Sequence, residues 1–463
     1  MKKLLFACLA LIIANIHLTG IASPRFTKHF TRDEKIEALS RVWSEIKYNF
    51  AFIDEIDFDM DSLYRATLPR VIASKNDVEF MNELRHFMVR FEDGHTNVGY
   101  PSYNWSWFYD FAPVRFEEIN GRYWLGYLSE DSGLDSLALG AELVEIDGEP
   151  TQSYVRKNYY PLITGGTDRV KADIATSNYI GTGLIGSRFR GKLRLSNGCE
   201  VNFSIRCNEM QRNRRNPNRT LREWEWTDWR RYDAKKNIAC SALAGGRIAR
   251  LDIIEFDEDD IPQLETILDS LRERAKGLVI DLRYCRGGSS LVGDVLLSRI
   301  INADSVCINK AMTRSNIGYG RAQGNWQPQY EDYYLDRAFD TLPCETLHID
   351  RSKLLCMPIV ILTGKRTVSA AETFLIQLYE LPGRPKIIGQ RTRGTTGSPL
   401  IIDLPHDAWV RICTLKHLYP ISGKPFGKEG IIPDEEIGLT VEDFLNGRDR
   451  VLERAISIIE TGN

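Results

Sequence analysis

Ser369 stands at a point in the chain where a serine can act as a nucleophile. The apolar run 357–363 predicts a buried strand and residues 370–380 predict a helix, so Ser369 lies on the turn between them. A serine on such a turn is held outside the core, and the amide of Ala370 faces the same space, where an oxyanion could bind. A serine that only caps the helix is the alternative interpretation.

A second segment could supply further donors to such an oxyanion. Residues 277–282 predict a buried strand that runs into Gly287 and Gly288, and residues 290–301 predict a helix. Paired glycines let backbone amides point into a cavity without a side chain in the way. A glycine turn that serves packing alone is the alternative.

A serine nucleophile also needs a base, and histidine is the commonest one at neutral pH. His95 lies in the polar turn 93–96, directly after a predicted helix. His17 falls within a predicted leader, and the remaining histidines lack such a turn: His29, His86, His348, His406 and His417. The sequence therefore favours His95 as the base, with a surface or packing role as the alternative.

The first residues of the chain predict export. Lys2 and Lys3 precede an apolar stretch over 4–16, and a small-x-small ending follows at 20–22, which is typical of a signal peptide. The stretch is too short for a stable membrane span, and no later segment has about 18 uncharged apolar residues in a row. We expect cleavage near Ala22 and a soluble periplasmic or extracellular protein without an integral membrane span.

The composition of the chain limits the classes of partner that it is expected to bind. The chain has 463 residues, 43% of them apolar, and a formal net charge of −3, which predicts two or three globular domains without a general attraction to polyanions. A basic stretch, 212–222, precedes Trp224, Trp226 and Trp229, and basic residues beside aromatic ones can bind nucleic acid. Because this stretch is interrupted by Asn and Glu, we interpret it as a solvated connector and expect no nucleic-acid partner.

The cysteines predict neither a metal site nor a thiol enzyme. Eight remain after the predicted leader: Cys199, Cys207, Cys240, Cys285, Cys307, Cys344, Cys356 and Cys413. No pair or His/Cys cluster has metal-ligand spacing, so we expect no metal and no cofactor. An oxidising compartment permits disulfides, but the spacing assigns none. Cys285 lies in the glycine turn, where we interpret it as a packing residue.

The leader, 1–22, is followed by four predicted regions. Residues 23–104 predict a helical domain, 105–208 a mostly β module, 209–239 the basic and Trp-rich connector, and 240–463 an α/β domain with an insertion at 304–353. The turns Asp147-Gly148 and Asn197-Gly198 mark strand connections in the β module. Alternating strands and helices in the last region favour a parallel sheet with helices on its faces.

These segments, in this order, resemble those of the S41 family of tail-specific (carboxyl-terminal processing) serine peptidases. Residues 369–372 resemble the family's Ser-Ala-x-Glu turn, and 281–288 its oxyanion-side turn. Residues 387–394 resemble its Val-Gly-Glu-x-Thr-x-Gly segment, and 430–434 its Gly-Ile-x-Pro-Asp ending. Residues 140–148 are similar to the core of a PDZ domain. The resemblance implies a multidomain α/β fold, with a crotonase-like α/β catalytic domain of ββα units, a PDZ-like β module and an N-terminal helical domain.

One departure from the family bears on the mechanism. The bacterial branch carries a catalytic Lys where this chain has Thr395, so the resemblance implies no Ser–Lys dyad. The branch that includes the tricorn core protease and the interphotoreceptor retinoid-binding protein uses or resembles a Ser–His arrangement, which implies that His95 is the base. The tricorn pattern also has a Ser where this chain has Gly94, and a late Glu, for which Glu429 is the nearest match and Glu372 the alternative.

The resemblance implies an exported serine endopeptidase. Ser369 attacks a peptide bond of a protein or peptide, with His95 and Glu429 completing the catalytic set. The amides of Ala370 and of Gly287 or Gly288 hold the oxyanion, and the PDZ-like module binds substrate as an added strand. A non-catalytic peptide- or lipid-binding protein is the alternative, because the retinoid-binding relatives suggest that the fold can serve binding alone. An acyl-CoA enzyme is disfavoured by export, because coenzyme A is a cytosolic cofactor.

Overall fold

The N-terminal part of the structure is helical. The computed structural model describes residues 29–99, 109–209, 222–223 and 237–462, so the predicted leader and most of the predicted connector lie outside the described residues. The elements are α1 (Arg32–Asn49), α2 (Met60–Ala73), α3 (Asp77–Met88) and the short strand β1 (Asn97–Gly99). The Thr31 hydroxyl accepts from the Glu34 amide at 3.2 Å, and the Glu34 carboxylate accepts from the Thr31 amide at 2.8 Å. This capping box fixes where α1 begins.

The middle of the chain is a β module that also contains helices. Its strands are β2 (Tyr109–Phe111), β3 (Val114–Ile119), β4 (Arg122–Leu128), β5 (Glu142–Ile146), β6 (Glu149–Pro150), β7 (Thr182–Leu184), β8 (Arg188–Arg194), β9 (Glu200–Arg206) and β10 (Arg222–Glu223). The helices α4 (Thr151–Asn158) and α5 (Asp168–Asn178) were not predicted. The first of them is two turns long and buries only Thr151 and Val155, too few positions for a readable period.

The last part of the chain is built on a six-stranded sheet with the order β11-β12-β13-β18-β19-β23. All neighbours run parallel except β11, which is antiparallel to β12. The strands are β11 (Ile238–Leu243), β12 (Ile248–Ile253), β13 (Gly277–Asp281), β18 (Ile359–Thr363), β19 (Lys386–Gly389) and β23 (Glu435–Glu436). The helices are α6 (Ile261–Arg274), α7 (Ser290–Ile300), α10 (Ala370–Tyr379), α11 (Val441–Asn446) and α12 (Arg450–Thr461).

Side chains along this sheet alternate between two apolar layers, because successive residues of a strand point to opposite faces. Ile280 and Ile361 pack in the layer that contains α6, α7 and α10. Val279 and Val360 pack in the layer that contains α12. The mixed α/β class and the parallel pairing predicted from the sequence are therefore confirmed, with helices on both faces.

The segment 304–353, which the sequence leaves without a period, is folded. It contains β14 (Ser305–Ile308), β15 (Ala311–Arg314), α8 (Gly318–Gln323), α9 (Glu331–Tyr334), β16 (Phe339–Leu342) and β17 (Glu345–His348). A disulfide joins Cys307 to Cys344, a pairing that the spacing did not assign. The segment is tied to the rest of the chain because β15 pairs with β22 (Leu415–His417).

The N-terminal helices share their hydrophobic core with two late strands, β20 (Pro399–Asp403) and β21 (Trp409–Cys413). Leu39 and Phe80 pack in one cluster with Val410 and Ile412. In the same region β1 pairs antiparallel with β21. This long-range pairing fixes the turn at the end of the helical segment against the sheet domain. Within the described residues, no helix is long and apolar enough to cross a membrane.

Candidate active site

Ser369 lies between β18 and α10 in a strained backbone conformation. Its φ is 61° and its ψ is −129°, a region that residues with a side chain rarely adopt. The hydroxyl makes no capping hydrogen bond to the helix that follows. The capping interpretation of Ser369 therefore does not apply, and its hydroxyl is available for another partner.

That partner is His95, whose Nε2 lies 3.0 Å from the Ser369 Oγ although 274 positions separate the two residues. The imidazole is 6% exposed. Its turn is held by the pairing of β1 with β21 and by a 2.7 Å hydrogen bond that the Asn97 side chain donates to the Gly94 carbonyl. The structure thus brings the predicted base within hydrogen-bond reach of the predicted nucleophile.

The predicted oxyanion donors flank the same hydroxyl. A Cβ added at Gly287, where φ is 80°, would lie 2.5 Å from the Ser369 Cβ and 2.8 Å from the Ala370 nitrogen. Only glycine fits so close to the nucleophile. The Ala370 amide is the first of α10, so it has no partner within the helix. Gly288 lies against Phe256, where an added Cβ would be 2.2 Å from the carbonyl oxygen, and so supports the turn.

The surroundings of His95 keep the ring neutral. Burial, followed by the charges of Arg411, His417 and Arg393, lowers the pKa of His95 to about 3. A neutral imidazole can accept the proton of Ser369, but an imidazolium would form where positive charge is disfavoured. Among the described residues, the His95 Nδ1 has no hydrogen-bond partner. His95 is therefore neutral and can accept a proton, and no carboxylate among the described residues hydrogen-bonds to its Nδ1.

Glu429, predicted as the third member of the set, is not brought to His95. Its side chain is 65% exposed and pairs with Arg391 at 3.6 Å. Its backbone carbonyl accepts from Arg169 at 3.5 Å. Because the Glu429 carboxylate is exposed and the His95 Nδ1 has no partner among the described residues, the predicted place of Glu429 beside the base is corrected.

Glu372, the alternative carboxylate, instead organises the loop beside the nucleophile. It is fully buried and accepts from the amides of Gly394 and Thr395, at 2.6 and 2.9 Å, and from the Thr392 hydroxyl at 2.5 Å. Burial raises the pKa of Glu372 to about 7, against the lowering effect of these three hydrogen bonds. The Thr395 carbonyl in turn accepts from the Ser369 amide at 2.9 Å. Glu372 thus acts on Ser369 through the loop 392–395.

The middle module contacts the turn that precedes Ser369. Asp173 of α5 is buried and accepts from Arg366 at 3.1 Å and from Arg393 at 2.8 Å. Burial opposes a charge on Asp173, yet the charges of Arg366, Lys365 and Arg393 lower its pKa. The sequence did not single out Asp173, because 193 positions separate it from Arg366 and no local pattern links them.

Cys285 is the one thiol next to this site in sequence, and it is buried in the apolar layer of the sheet. Burial raises the pKa of its thiol to about 12, so the thiolate needed for nucleophilic attack is absent at neutral pH. Its carbonyl accepts from the Val368 amide at 3.0 Å. This environment agrees with the packing role predicted for Cys285.

His95 and Ser369 open onto a cleft of about 1020 Å³. It is lined by the N-terminal helices, the middle module and the sheet domain, through residues that include Arg85, Leu162, Tyr179, Gly287, Pro399 and Arg411. Clefts between parts of a chain are common ligand sites, and this one is large enough for several residues of an extended peptide. Sequence analysis missed Arg411, whose place in the cleft depends on the register between β1 and β21.

The comparisons with known proteins concern both the family and the fold. Residues 247–437 match the model of Peptidase family S41. No curated protein sequence matches the chain. Mature CPAF complexed with lactacystin is similar in structure over 92% of this chain and 97% of its own, with 14% sequence identity and a TM-score of 0.67. A candidate peptidase from Parabacteroides merdae is similar over 94% of this chain and 98% of its own, with 18% identity and a TM-score of 0.52. At these identities the two structures show a shared fold.

Proposed function

We propose that Ser369 and His95 cleave peptide bonds as nucleophile and general base, in a serine-type peptidase whose residues 247–437 match the model of peptidase family S41. The observation that carries this proposal is the 3.0 Å distance between the His95 Nε2 and the Ser369 Oγ. An imidazole in hydrogen-bond reach of a serine on a strained strand-to-helix turn is the arrangement that activates a hydroxyl. The proposed substrate is a protein or peptide that enters the cleft in an extended form.

The chemistry proceeds through an acyl-enzyme. The Ser369 oxygen attacks the peptide carbonyl while the His95 Nε2 takes the hydroxyl proton. The oxyanion accepts hydrogen bonds from the amides of Gly287 and Ala370. His95 then gives the proton to the leaving amine, and a water molecule, deprotonated by the same nitrogen, releases the acid and restores Ser369.

This assignment is a Ser–His pair in which no carboxylate supports the base. The support for it is that the Glu429 side chain faces solvent and that the His95 Nδ1 has no partner among the described residues. The imidazolium is then stabilised chiefly by the oxyanion it faces. The assignment is closer to the Ser–His branch of the family than to the Ser–Lys branch, because Thr395 stands at the position of the lysine.

The proposed domain organisation is the one predicted from the sequence. The helical domain 23–104 supplies the base, and the β module 105–208 is PDZ-like and binds an extended peptide by strand addition. The connector 209–239 leads to a crotonase-like catalytic domain, 240–463, with its insertion at 304–353. The contact of Asp173 with Arg366 and Arg393 supports a direct link between the β module and the nucleophile turn.

We also propose that the protein acts outside the cytoplasm after cleavage near Ala22. The basic start, the short apolar stretch and the small-x-small ending support this location. N-terminal sequencing of protein recovered from the periplasm or medium tests it. A mature protein that still begins at Met1 contradicts the proposal.

The catalytic assignment is tested with Ser369→Ala. The variant loses cleavage of an unfolded protein such as reduced casein and keeps its melting temperature, because the substitution removes only a hydroxyl. Ser129→Ala is the matched control, since Ser129 is a buried serine that caps a turn in the β module. It keeps cleavage. Retained cleavage in Ser369→Ala refutes the assignment.

A non-catalytic binding protein on the same fold is the second candidate. The observation that favours it is the low pKa of His95, about 3, which burial and Arg411 impose and which makes the ring a weak base. A fluorophosphonate probe separates the two, because only an activated serine reacts with it. Labelling that disappears in Ser369→Ala and in His95→Ala supports the peptidase. An unlabelled, folded wild-type protein supports the binding protein.

A further inference from the structure

The charged residues that line the cleft are mostly arginines. They are Arg85, Glu255, Arg286, Arg393 and Arg411. Arg286 is neutralised by Glu255 at 2.7 Å, and Arg393 by Asp173 at 2.8 Å. The Arg85 guanidinium donates to the Tyr179 hydroxyl at 3.4 Å.

Arg411 differs from these in its partners. Among the described residues it forms no ion pair and donates no hydrogen bond, and its Nε is enclosed without an acceptor. Its guanidinium lies 5.9 Å from the centre of the Trp409 ring. Asp93 is the carboxylate whose charge it feels, but no hydrogen bond joins them. Burial lowers the pKa of Arg411, against the raising effect of the Asp93 charge.

The strand register aims Arg411 at the reacting groups. Along β21, Val410 and Ile412 are buried in the core, so the side chains of Trp409 and Arg411 leave the opposite face. Arg411 lies directly across from Asn97 on β1, two residues after His95. After burial, its charge is the largest of the effects that lower the pKa of His95. Because Arg411 lies close to His95, substrate residues next to the cleaved bond would pass beside its guanidinium.

We propose that Arg411 binds a carboxylate of the substrate close to the cleaved bond, so that the enzyme prefers peptides with an acidic side chain or a free C-terminal carboxylate there. This inference rests on the proposed function, because the carboxylate is placed relative to Ser369. Guanidinium and carboxylate form paired, charge-assisted hydrogen bonds, and such bonds are stronger where water is excluded. The three other arginines of the cleft already have partners, which leaves this role to Arg411.

The bound carboxylate also acts on the base. Without substrate, the charge of Arg411 disfavours an imidazolium at His95. A carboxylate on Arg411 compensates that charge, so proton transfer from Ser369 becomes easier when a matching substrate is present. Preference for acidic peptides therefore appears in kcat as well as in KM.

The proposal is tested by binding, which does not need catalysis. The Ser369→Ala protein is titrated calorimetrically with synthetic hexapeptides that carry Glu or Gln at one position, each with a free or an amidated C-terminus. We expect the peptides with the matching carboxylate to bind ten-fold or more tightly than their neutral partners, on the order of one charge-assisted hydrogen bond. The double variant Ser369→Ala, Arg411→Met loses this preference. Ser369→Ala, Arg188→Met, which removes an exposed arginine of β8, keeps it.

The four peptides distinguish a side-chain carboxylate from a C-terminal carboxylate. A preference for Glu over Gln that depends on Arg411 assigns an acidic side chain, and a preference for the free over the amidated end assigns the C-terminus. Equal binding of all four peptides, a preference that survives Arg411→Met, or no binding at millimolar peptide overturns the proposal. Because the titration uses the inactive variant, these results are independent of fluorophosphonate labelling, which tests the proposed hydrolysis.

Discussion

Replacing Glu372 by Gln changes how the stability of the protein depends on pH. Burial raises the pKa of this carboxyl from its ordinary value of 4.5 to about 7 in the folded protein. Below pH 4.5 the group is protonated in both the folded and the unfolded chain. Between pH 4.5 and 7 the unfolded chain gives up the proton and the folded chain keeps it. The stability contributed by the protonated form is therefore full at low pH and is lost as the pH rises through 7.

The size of the effect follows from the two pKa values. They differ by about 2.5 pH units, and one unit corresponds to about 1.4 kcal/mol, so the full effect is about 3.5 kcal/mol. Other buried carboxyls, such as Asp93 and Asp294, also titrate near pH 6. They are present in both proteins and cancel in the difference between wild type and Glu372→Gln.

The assay is urea unfolding of wild type and Glu372→Gln at pH 5 and at pH 8. We expect the free energy of unfolding of the wild type, relative to the variant, to fall by about 2–3 kcal/mol between these two values. If the difference in the free energy of unfolding stays constant with pH, burial does not disfavour the charged form of Glu372. A difference that grows with pH shows that the hydrogen bonds from Thr392, Gly394 and Thr395 outweigh burial, which reverses the sign of the reasoning.

Three further outcomes are expected around the nucleophile. Gly287→Ala lowers kcat/KM on the order of 10²–10³, because the added Cβ meets the Ser369 Cβ at 2.5 Å and displaces an oxyanion donor. If the variant has wild-type kinetics, the Gly287 amide does not bind the oxyanion. Ser369→Gly is more stable than Ser369→Ala by about 1 kcal/mol in urea, because only glycine relaxes a φ of 61°; equal stability would show that the turn stores no strain. Fluorophosphonate labelling of Ser369 in the Glu372→Gln variant keeps its rate from pH 8 down to pH 5, because His95, with a pKa near 3, stays neutral; a midpoint near 6.5 would contradict the buried, uncharged base.

The features that the sequence predicts well are those encoded by neighbouring residues. The predicted turn at Asp147 and Gly148, where both residues have positive φ, depends on contacts within a few positions. The strand-to-helix turn at Ser369 is of the same kind. Its role can be inferred from the sequence because the apolar residues before and after it predict a buried strand and a buried helix.

The features that the sequence does not predict depend on which distant segments meet. Arg411 enters the cleft only because β21 pairs with β1, and Asp173 reaches Arg366 only because α5 packs near the nucleophile turn. The Glu429 carboxylate pairs with Arg391, a contact that no local pattern indicates. A shift of one residue in the register between β1 and β21 would turn the Arg411 side chain away from the cleft, and no local pattern fixes such a register.

Gly94, where the tricorn pattern has a Ser, and Thr395, where the bacterial pattern has a Lys, pack against each other. A Cβ at position 94 would lie 2.9 Å from both Cγ2 and Oγ1 of Thr395. Thr395 is 3% exposed and β-branched, so its side chain cannot turn away. A serine at 94 therefore requires the Thr395 side chain or the turn to shift. Since the Thr395 carbonyl also accepts from the Ser369 amide at 2.9 Å, this one residue packs on the histidine turn and holds the nucleophile.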